Sequence, residues 1–188
     1  MTRLILRMLN VPALLLIVAL GAAIQSSFFA SHPLIYVQPD IVLLAVIWCG
    51  LKREFLEGGI LTLLFANIAE IHSAAPRGLS LTSYMAIFLG IHAISRMVVI
   101  PNMVSLIKIT IFTTAAWKLI TLLILAFLDK AQNQWRHTLI MLLPGSAIEG
   151  ALGIWVFRWL DRLDTVTFKS AHARQALEDE LQLEREGI

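Results

Sequence analysis

Lys118 and Glu149 are ionisable residues that lie inside long apolar runs of the sequence. A charge in such surroundings is costly unless it is paired, lies near an interface or faces water. At 1.5 Å per helical residue, each lies about 15 to 17 Å from the outer end of its predicted helix, so the two side chains could meet at mid-depth. We therefore predict an ion pair between Lys118 and Glu149, which serves either as a structural link or as part of a conduction path.

The residue types that usually carry catalysis or bind metals are scattered along the chain. The five histidines stand singly, so no helix or hairpin presents several ligands to one ion. No GxSxG or SxxK spacing places a serine nucleophile on a strained turn or beside a lysine base. Cys49 is the only cysteine, which excludes an internal disulfide. We expect no catalytic residues, no metal site and no cofactor.

Glu70 closes the third apolar segment beside Asn67 and His72, just before a turn that contains Pro76 and Gly78. A carboxylate in this place can accept hydrogen bonds from backbone N–H groups of the turn. We predict that Glu70 holds the outer loop in this way.

Ala19 and Ala23 form a pair of small residues four positions apart in the first apolar segment. Such pairs let two helix backbones approach closely. They predict a helix-packing face, which serves either within the bundle or for a partner helix.

The elements that position these residues are apolar segments of the length that a helix needs to cross a bilayer. Of the 188 residues, 58% are hydrophobic. We predict an all-α integral membrane protein, a bundle of six transmembrane helices that forms one domain over residues 1–160. The predicted spans are Val11–Phe29, Leu34–Leu51, Phe55–Ile71, Leu79–Ile94, Ile109–Leu128 and Thr138–Trp159.

The second span has the shortest apolar run. Only eleven uninterrupted apolar or small residues separate Asp40 from Lys52. The helix must therefore include residues 34–37 or be short and tilted. A re-entrant segment is the alternative.

Basic residues favour one side of the predicted bundle. Because cytoplasmic loops carry an excess of Lys and Arg, both termini are predicted to be cytoplasmic. Trp48, Trp155 and Trp159 fall at predicted inner boundaries and Trp135 at an outer one, as expected of interfacial aromatic residues. The basic residues on the predicted cytoplasmic side are Arg3, Arg7, Lys52, Arg53, Arg96, Lys108, Arg158 and Arg162.

Residues 161–188 are predicted to form a polar, acidic cytoplasmic tail. Leu163, Ala173, Leu177 and Leu181 give it a thin apolar stripe at helical spacing, so it is either a solvated helix or a partner-binding one. Its acidic end should be repelled by anionic lipid. The net charge of the whole chain is only +2 and the basic residues are dispersed, which argues against nucleic acid as a partner.

The run from Glu57 to Tyr84, EGGILTLLFANIAEIHSAAPRGLSLTSY, resembles the central stretch of the rod shape-determining protein MreD family. That stretch has a glycine-started helix, an acidic residue, a Ser-Gly-x-Pro-x-Gly turn and another helix. Upstream, Pro39 and Asp40 open an apolar helix, as in the family. The order and length of the other spans extend the resemblance over about residues 1–165.

On this match Glu70 takes the place of the usual aspartate, while Ser73 and Pro76 keep their places and Gly78 takes the final glycine. The chain departs from the family pattern at Ala74, which replaces the usual turn glycine. Leu63 or Leu64 stands where a helix glycine is common, and the acidic tail is longer than the family needs.

The resemblance implies a non-enzymatic subunit of the bacterial cell-elongation complex in the inner membrane. Such a subunit is surrounded by lipid, binds the bitopic membrane protein MreC and helps to connect MreB filaments to the peptidoglycan synthases. Its mechanism would be scaffolding through helices and loops. It could also assemble with copies of itself.

The rival hypothesis is a substrate-binding S component of a vitamin importer, which also has six spans in fewer than about 200 residues. Ala19 and Ala23 resemble the Ala-xxx-Ala face by which such subunits dock on their coupling protein. Against it, the sequence shows no polar cluster on the outer halves of several helices that would line a ligand pocket. An enzyme acting on lipid is a weaker reading, because no base and acid fall at one interface.

Overall fold

The computed structural model describes residues 2–28, 39–73, 75–95, 103–128, 134–140 and 142–167, which form seven helices and no strand. The predicted all-α class is thus confirmed for this part of the chain. The helices are α1 (Thr2–Phe28), α2 (Ile41–Lys52), α3 (Phe55–Ile71), α4 (Leu79–Ser95), α5 (Met103–Phe127), α6 (Gln134–Ile140) and α7 (Leu142–Val166).

Six of these helices, all except the short α6, alternate in direction. Near the end of α1, Gln25 Oε1 accepts a hydrogen bond from the first amide of α2, that of Ile41. Helices α3 and α4 are joined by a short turn, and α5 runs antiparallel to α7, with Thr114 beside Glu149. We call the end with the α3–α4 turn the top and the end with the α2–α3 junction the base.

Helix α2 lies at the centre of the bundle. The nine consecutive residues 42–50 are all buried, and the helix packs against α1, α3, α4, α5 and α7. A helix that is apolar on every side is stable only when it is enclosed in this way. With 12 residues it is only about 18 Å long at 1.5 Å per residue.

Helix α1 packs through a stripe at four-residue spacing, made of Asn10, Leu14, Val18 and Ala22, all of which are buried. Ala19 and Ala23, predicted as the packing pair, lie beside this stripe and are only partly buried. Ala22 of the stripe is as small as Ala19 and Ala23, so burial on α1 follows the position on the helix and not side-chain size.

The sixth predicted span differs from the structure. Instead of one helix over Thr138–Trp159, the short α6 is followed by α7, which continues to Val166. Helix α7 thus crosses the predicted domain boundary at residue 160, and Asp164 and Thr167 beyond it are buried. Asp164 and Thr167 are buried through contacts with Asn10 and Arg53, which explains why α7 continues beyond the end of its apolar run. The tail from residue 168 onwards lies outside the described residues.

Candidate functional site

The start of α2 is buried inside the bundle. Asp40 caps the helix, since its Oδ1 accepts a hydrogen bond of 2.9 Å from the amide of Leu43. The amide of Ile41 is bound by Gln25 Oε1 at 3.1 Å. Amides in the first turn of a helix have no partner within the helix, so a buried helix start needs such side chains. Pro39 is buried next to this cap.

The carboxyl of Asp40 also binds a side chain from α4. The Tyr84 hydroxyl donates a hydrogen bond of 2.6 Å to Asp40 Oδ2. The Tyr84 ring stacks on Trp117 of α5, with 5.9 Å between ring centroids and an interplanar angle of 4°. Two neighbouring helices therefore fix the position of the α2 cap.

Glu149 of α7 lies beside the start of α2 and is only 2% exposed. Its Oε2 accepts a hydrogen bond of 2.8 Å from Thr114 Oγ1. The ammonium of Lys118 is 4.0 Å from its Oε1, so the two residues predicted to pair are brought together. The backbone amide of Asp40 also faces the Glu149 carboxyl.

These five residues, Asp40, Tyr84, Thr114, Lys118 and Glu149, form what we call the polar centre. It joins α2, α4, α5 and α7. The Glu149 carboxyl faces the Lys118 ammonium, and the hydroxyl donors and the partial positive charge at the α2 N-terminus add to the favourable interactions. Because the carboxyls bind groups of the chain itself, the arrangement holds four helices in register.

The sequence predicted only part of the polar centre. It singled out Asp40 as a helix start and the pair of Lys118 and Glu149, but it did not place Asp40 beside Glu149, and it missed Tyr84 and Thr114. It also predicted no polar cluster in the outer halves of several helices, whereas the polar centre lies in the top halves of α4 and α7. A search for polar residues at equal depth in antiparallel spans would have found Thr114 opposite Glu149.

The α3–α4 turn brings together Glu70, Ser73, Pro76 and Gly78, which the sequence singled out as one motif. Glu70 Oε1 accepts hydrogen bonds from the amides of Gly78, at 2.7 Å, and Leu81, at 3.3 Å. Gly78 has φ +85°, a left-handed conformation that a side chain would strain. Glu70 therefore holds the turn by accepting backbone hydrogen bonds.

Two further motif residues stabilise the same turn from within. Ser73 Oγ accepts a hydrogen bond of 3.1 Å from the amide of Ala75. The carbonyl of Pro76 accepts one of 3.2 Å from the amide of Leu79, at the start of α4. The turn thus has a defined shape built from local contacts.

A second buried polar cluster lies at the base, and the sequence did not predict it. Arg53 Nη2 donates hydrogen bonds of 2.6 Å to Asp164 Oδ1 and 2.9 Å to Asn10 Oδ1. Asn10 Nδ2 in turn donates to Asp164 Oδ1 at 3.0 Å and to Thr167 Oγ1 at 2.6 Å. We call Asn10, Arg53, Asp164 and Thr167 the basal network.

Trp48 extends the basal network towards the bundle core. The Arg53 guanidinium lies over the Trp48 ring, 4.9 Å from the ring centroid. The indole Nε1 of Trp48 donates a hydrogen bond of 2.9 Å to Asp161 Oδ1. Predicted as an interfacial residue, Trp48 is instead buried, because α2 is enclosed by other helices. Lys52 also contacts Asp161, at 3.7 Å, so the base ties α2 to α7 twice.

Among the residues that the structure describes, no three His, Cys, Asp or Glu side chains form a group that could hold a metal ion. Comparison of the chain with protein-family models, with curated proteins and with solved structures gives no match.

Proposed function

We propose that the chain is an integral membrane protein whose helices α1, α2, α3, α4, α5 and α7 are its six transmembrane segments. The segments Met8–Phe28 and Val104–Phe127 are long and apolar enough to cross a bilayer by length and composition. Large apolar side chains are exposed along both, including Leu16, Leu20, Phe112 and Leu123. So much exposed apolar surface favours lipid as the surroundings, because in water it would drive aggregation.

The base is the proposed cytoplasmic end, which puts both termini in the cytoplasm. Lys52 and Arg53 lie there, as do the end of α7 and Asn10 of α1. Basic residues at that end agree with the charge bias of cytoplasmic loops. Reporter fusions at each terminus test this orientation: activity of a cytoplasmic reporter at both ends is expected, and opposite locations for the two ends would overturn the six-span topology.

Within the membrane, the proposed role is that of a non-enzymatic scaffold of the bacterial cell-elongation complex. It would bind an MreC-like bitopic protein and so connect MreB filaments to peptidoglycan synthases. The observation that carries this proposal is the α3–α4 turn, where Glu70, Ser73, Pro76 and Gly78 of the MreD-like motif join in one hydrogen-bonded structure. A turn with a fixed shape suits recognition by a partner.

Depletion of the protein in its own host tests the role in cell shape. Rounding of rod-shaped cells is expected on depletion, with recovery when the wild-type gene is restored. A matched complementation with Glu70→Ala asks whether the turn is needed, with membrane insertion checked by fractionation. Normal cell shape after depletion would overturn the proposal.

One observation favours the alternative, an S-component-like subunit of a small-molecule importer. The polar centre gathers polar groups from α2, α4, α5 and α7, and α2 starts inside the bundle. Binding sites of transporters are often built around helix ends that lie inside the membrane. A vitamin retained by the purified protein, together with a vitamin requirement on depletion, would support import over scaffolding.

A further inference from the structure

Helix α7 carries a distinctive exposed face near the base. Trp155 and Trp159 are 67% and 73% exposed, although tryptophan usually buries its large ring. Arg158 and Arg162 are exposed between and beyond them. We call these four residues the basic aromatic face.

The two arginines of this face are not engaged by an anionic group within residues 2–28, 39–73, 75–95, 103–128, 134–140 and 142–167. Neither Arg158 nor Arg162 makes a hydrogen bond or an ion pair with any residue that the structure describes. The nearby carboxylates of α7 are already engaged, since Asp161 contacts Lys52 and Asp164 contacts Arg53. Two like charges four residues apart on a helix repel each other, so the face attracts an anion.

The face also lies at the right depth for a membrane surface. Arg162 directly follows Asp161, which is 3.7 Å from Lys52 at the α2–α3 junction. Trp155 lies two helical turns further into the bundle, at about 1.5 Å per residue. Rings and guanidinium groups alternate along these two turns, and long arginine side chains can reach the headgroup layer while the indole rings lie at the edge of the apolar layer.

From this arrangement we propose that the basic aromatic face binds the phosphate headgroup of an anionic phospholipid in the cytoplasmic leaflet. The proposal rests on the membrane location proposed above. Planar guanidinium groups donate paired hydrogen bonds to phosphate oxygens, and the two indole rings contact the glycerol and upper acyl region. A buried protein contact would instead need a carboxylate to meet each arginine.

Lipid-specific quenching of tryptophan fluorescence tests the site. The purified full-length protein is reconstituted in phosphatidylcholine bilayers that contain increasing fractions of brominated phosphatidylglycerol or of brominated phosphatidylcholine. Subtracting the signal of the Trp155→Phe/Trp159→Phe variant isolates the two exposed rings from Trp48, Trp117 and Trp135. We expect the anionic lipid to quench these rings at a lower fraction than the zwitterionic lipid, with a preference of about fivefold for each arginine.

Arg158→Gln/Arg162→Gln should abolish this preference, and Arg158→Lys/Arg162→Lys should keep part of it, because the charge remains but the paired donors are lost. Arg77→Gln is the matched control: Arg77 is exposed in the α3–α4 turn at the opposite end, so its loss should leave the preference unchanged. An unchanged unfolding temperature shows that each variant is folded.

The outcomes separate this proposal from the membrane proposal. Equal quenching by both lipids, or an anionic preference that survives Arg158→Gln/Arg162→Gln, overturns the headgroup site while the membrane location stands. Absence of quenching by either lipid means that the rings do not face lipid, which overturns the headgroup site, while the reporter fusions at the two termini test the membrane location separately.

Discussion

Arg53 and Asp164 form a buried ion pair with 2.6 Å between Nη2 and Oδ1, although 111 positions separate them in the sequence. The Arg53 side chain is only 3% exposed. The pair joins the α2–α3 junction to the last turn of α7, and Asn10 binds both partners. It therefore closes the base of the bundle around three helices.

Removing one partner of this pair should be strongly destabilising. Arg53→Met alone should lower the free energy of unfolding by about 3 kcal/mol or more, because it breaks the buried ion pair with Asp164. Asp164→Leu should cost less than Arg53→Met, because Arg53 keeps a contact of 3.4 Å with Glu57. The double variant should be less destabilised than the sum of the two single variants. Reversible unfolding of the purified protein in detergent measures these differences.

The pair of Lys52 and Asp161 is the matched control, since both side chains are about half exposed and lie 3.7 Å apart at the same end. Lys52→Ala should cost about 1 kcal/mol or less, as expected of a solvent-screened pair. A similar cost for Lys52→Ala and for Arg53→Met would contradict a special role for the basal network.

In the polar centre, reversing both charges of the Lys118–Glu149 pair should be better tolerated than reversing one. Lys118→Glu or Glu149→Lys alone places like charges about 4 Å apart, whereas the double reversal restores attraction. Recovery should be incomplete, because Thr114 and the Asp40 amide are placed for a carboxylate at position 149. Yield of folded protein after detergent extraction is the measurement, and equal losses in all three variants would refute the pairing.

Tyr84→Phe should destabilise the α2 cap by about 2 kcal/mol, because it removes a hydrogen bond to a buried carboxyl while keeping the ring that stacks on Trp117. Ser83→Ala, one position earlier, is the control. The Ser83 hydroxyl is also buried, but its contact with Thr121 is 3.4 Å long, so the cost should be about 0.5 kcal/mol. Chemical unfolding of both variants decides the comparison.

Glu70→Ala should loosen the α3–α4 turn locally without unfolding the bundle. Hydrogen exchange at the amides of Gly78 and Leu81 should become faster, while exchange in α2 stays unchanged. Glu70→Gln retains an acceptor oxygen and should show a smaller effect. Unaltered exchange at both amides in Glu70→Ala would mean that the carboxylate does not hold the turn.

Gly78→Ala tests the same turn through its backbone. With φ at +85°, an alanine at this position should cost about 1 kcal/mol. Gly90→Ala is the control, because Gly90 lies inside α4 with open space where a Cβ would be added, so the helix should be unharmed or slightly more stable. Thermal unfolding compares the two variants.

Local pattern was sufficient for some elements. The predicted bounds of the third helix, Phe55–Ile71, are those of α3, because charged and polar residues end its apolar run on both sides. The proximity of Lys118 and Glu149 also followed from counting, since antiparallel neighbours bring residues of equal depth together.

Other features depend on which helix faces meet, and the sequence does not state this. Helix α2 is apolar on every side, so its sequence pattern does not show which neighbouring helix faces Asp40. The contact between Asp40 and Tyr84 of α4 could therefore not be predicted. Similarly, Arg53 and Asp164 each follow the end of an apolar run, where charged side chains are usually exposed to solvent. Only the extension of α7 past its apolar run places Asp164 against Arg53.

Helix α7 supplies a partner at each end of α2: Glu149 faces the amide of Asp40 at its start, and Asp164 binds Arg53 at its close. During synthesis, α2 emerges from the ribosome long before either carboxylate has been made. Translation that stops before Leu142 would therefore leave the Asp40 amide without Glu149 and Arg53 without Asp164, while Gln25 and Tyr84 could still hold the start of α2.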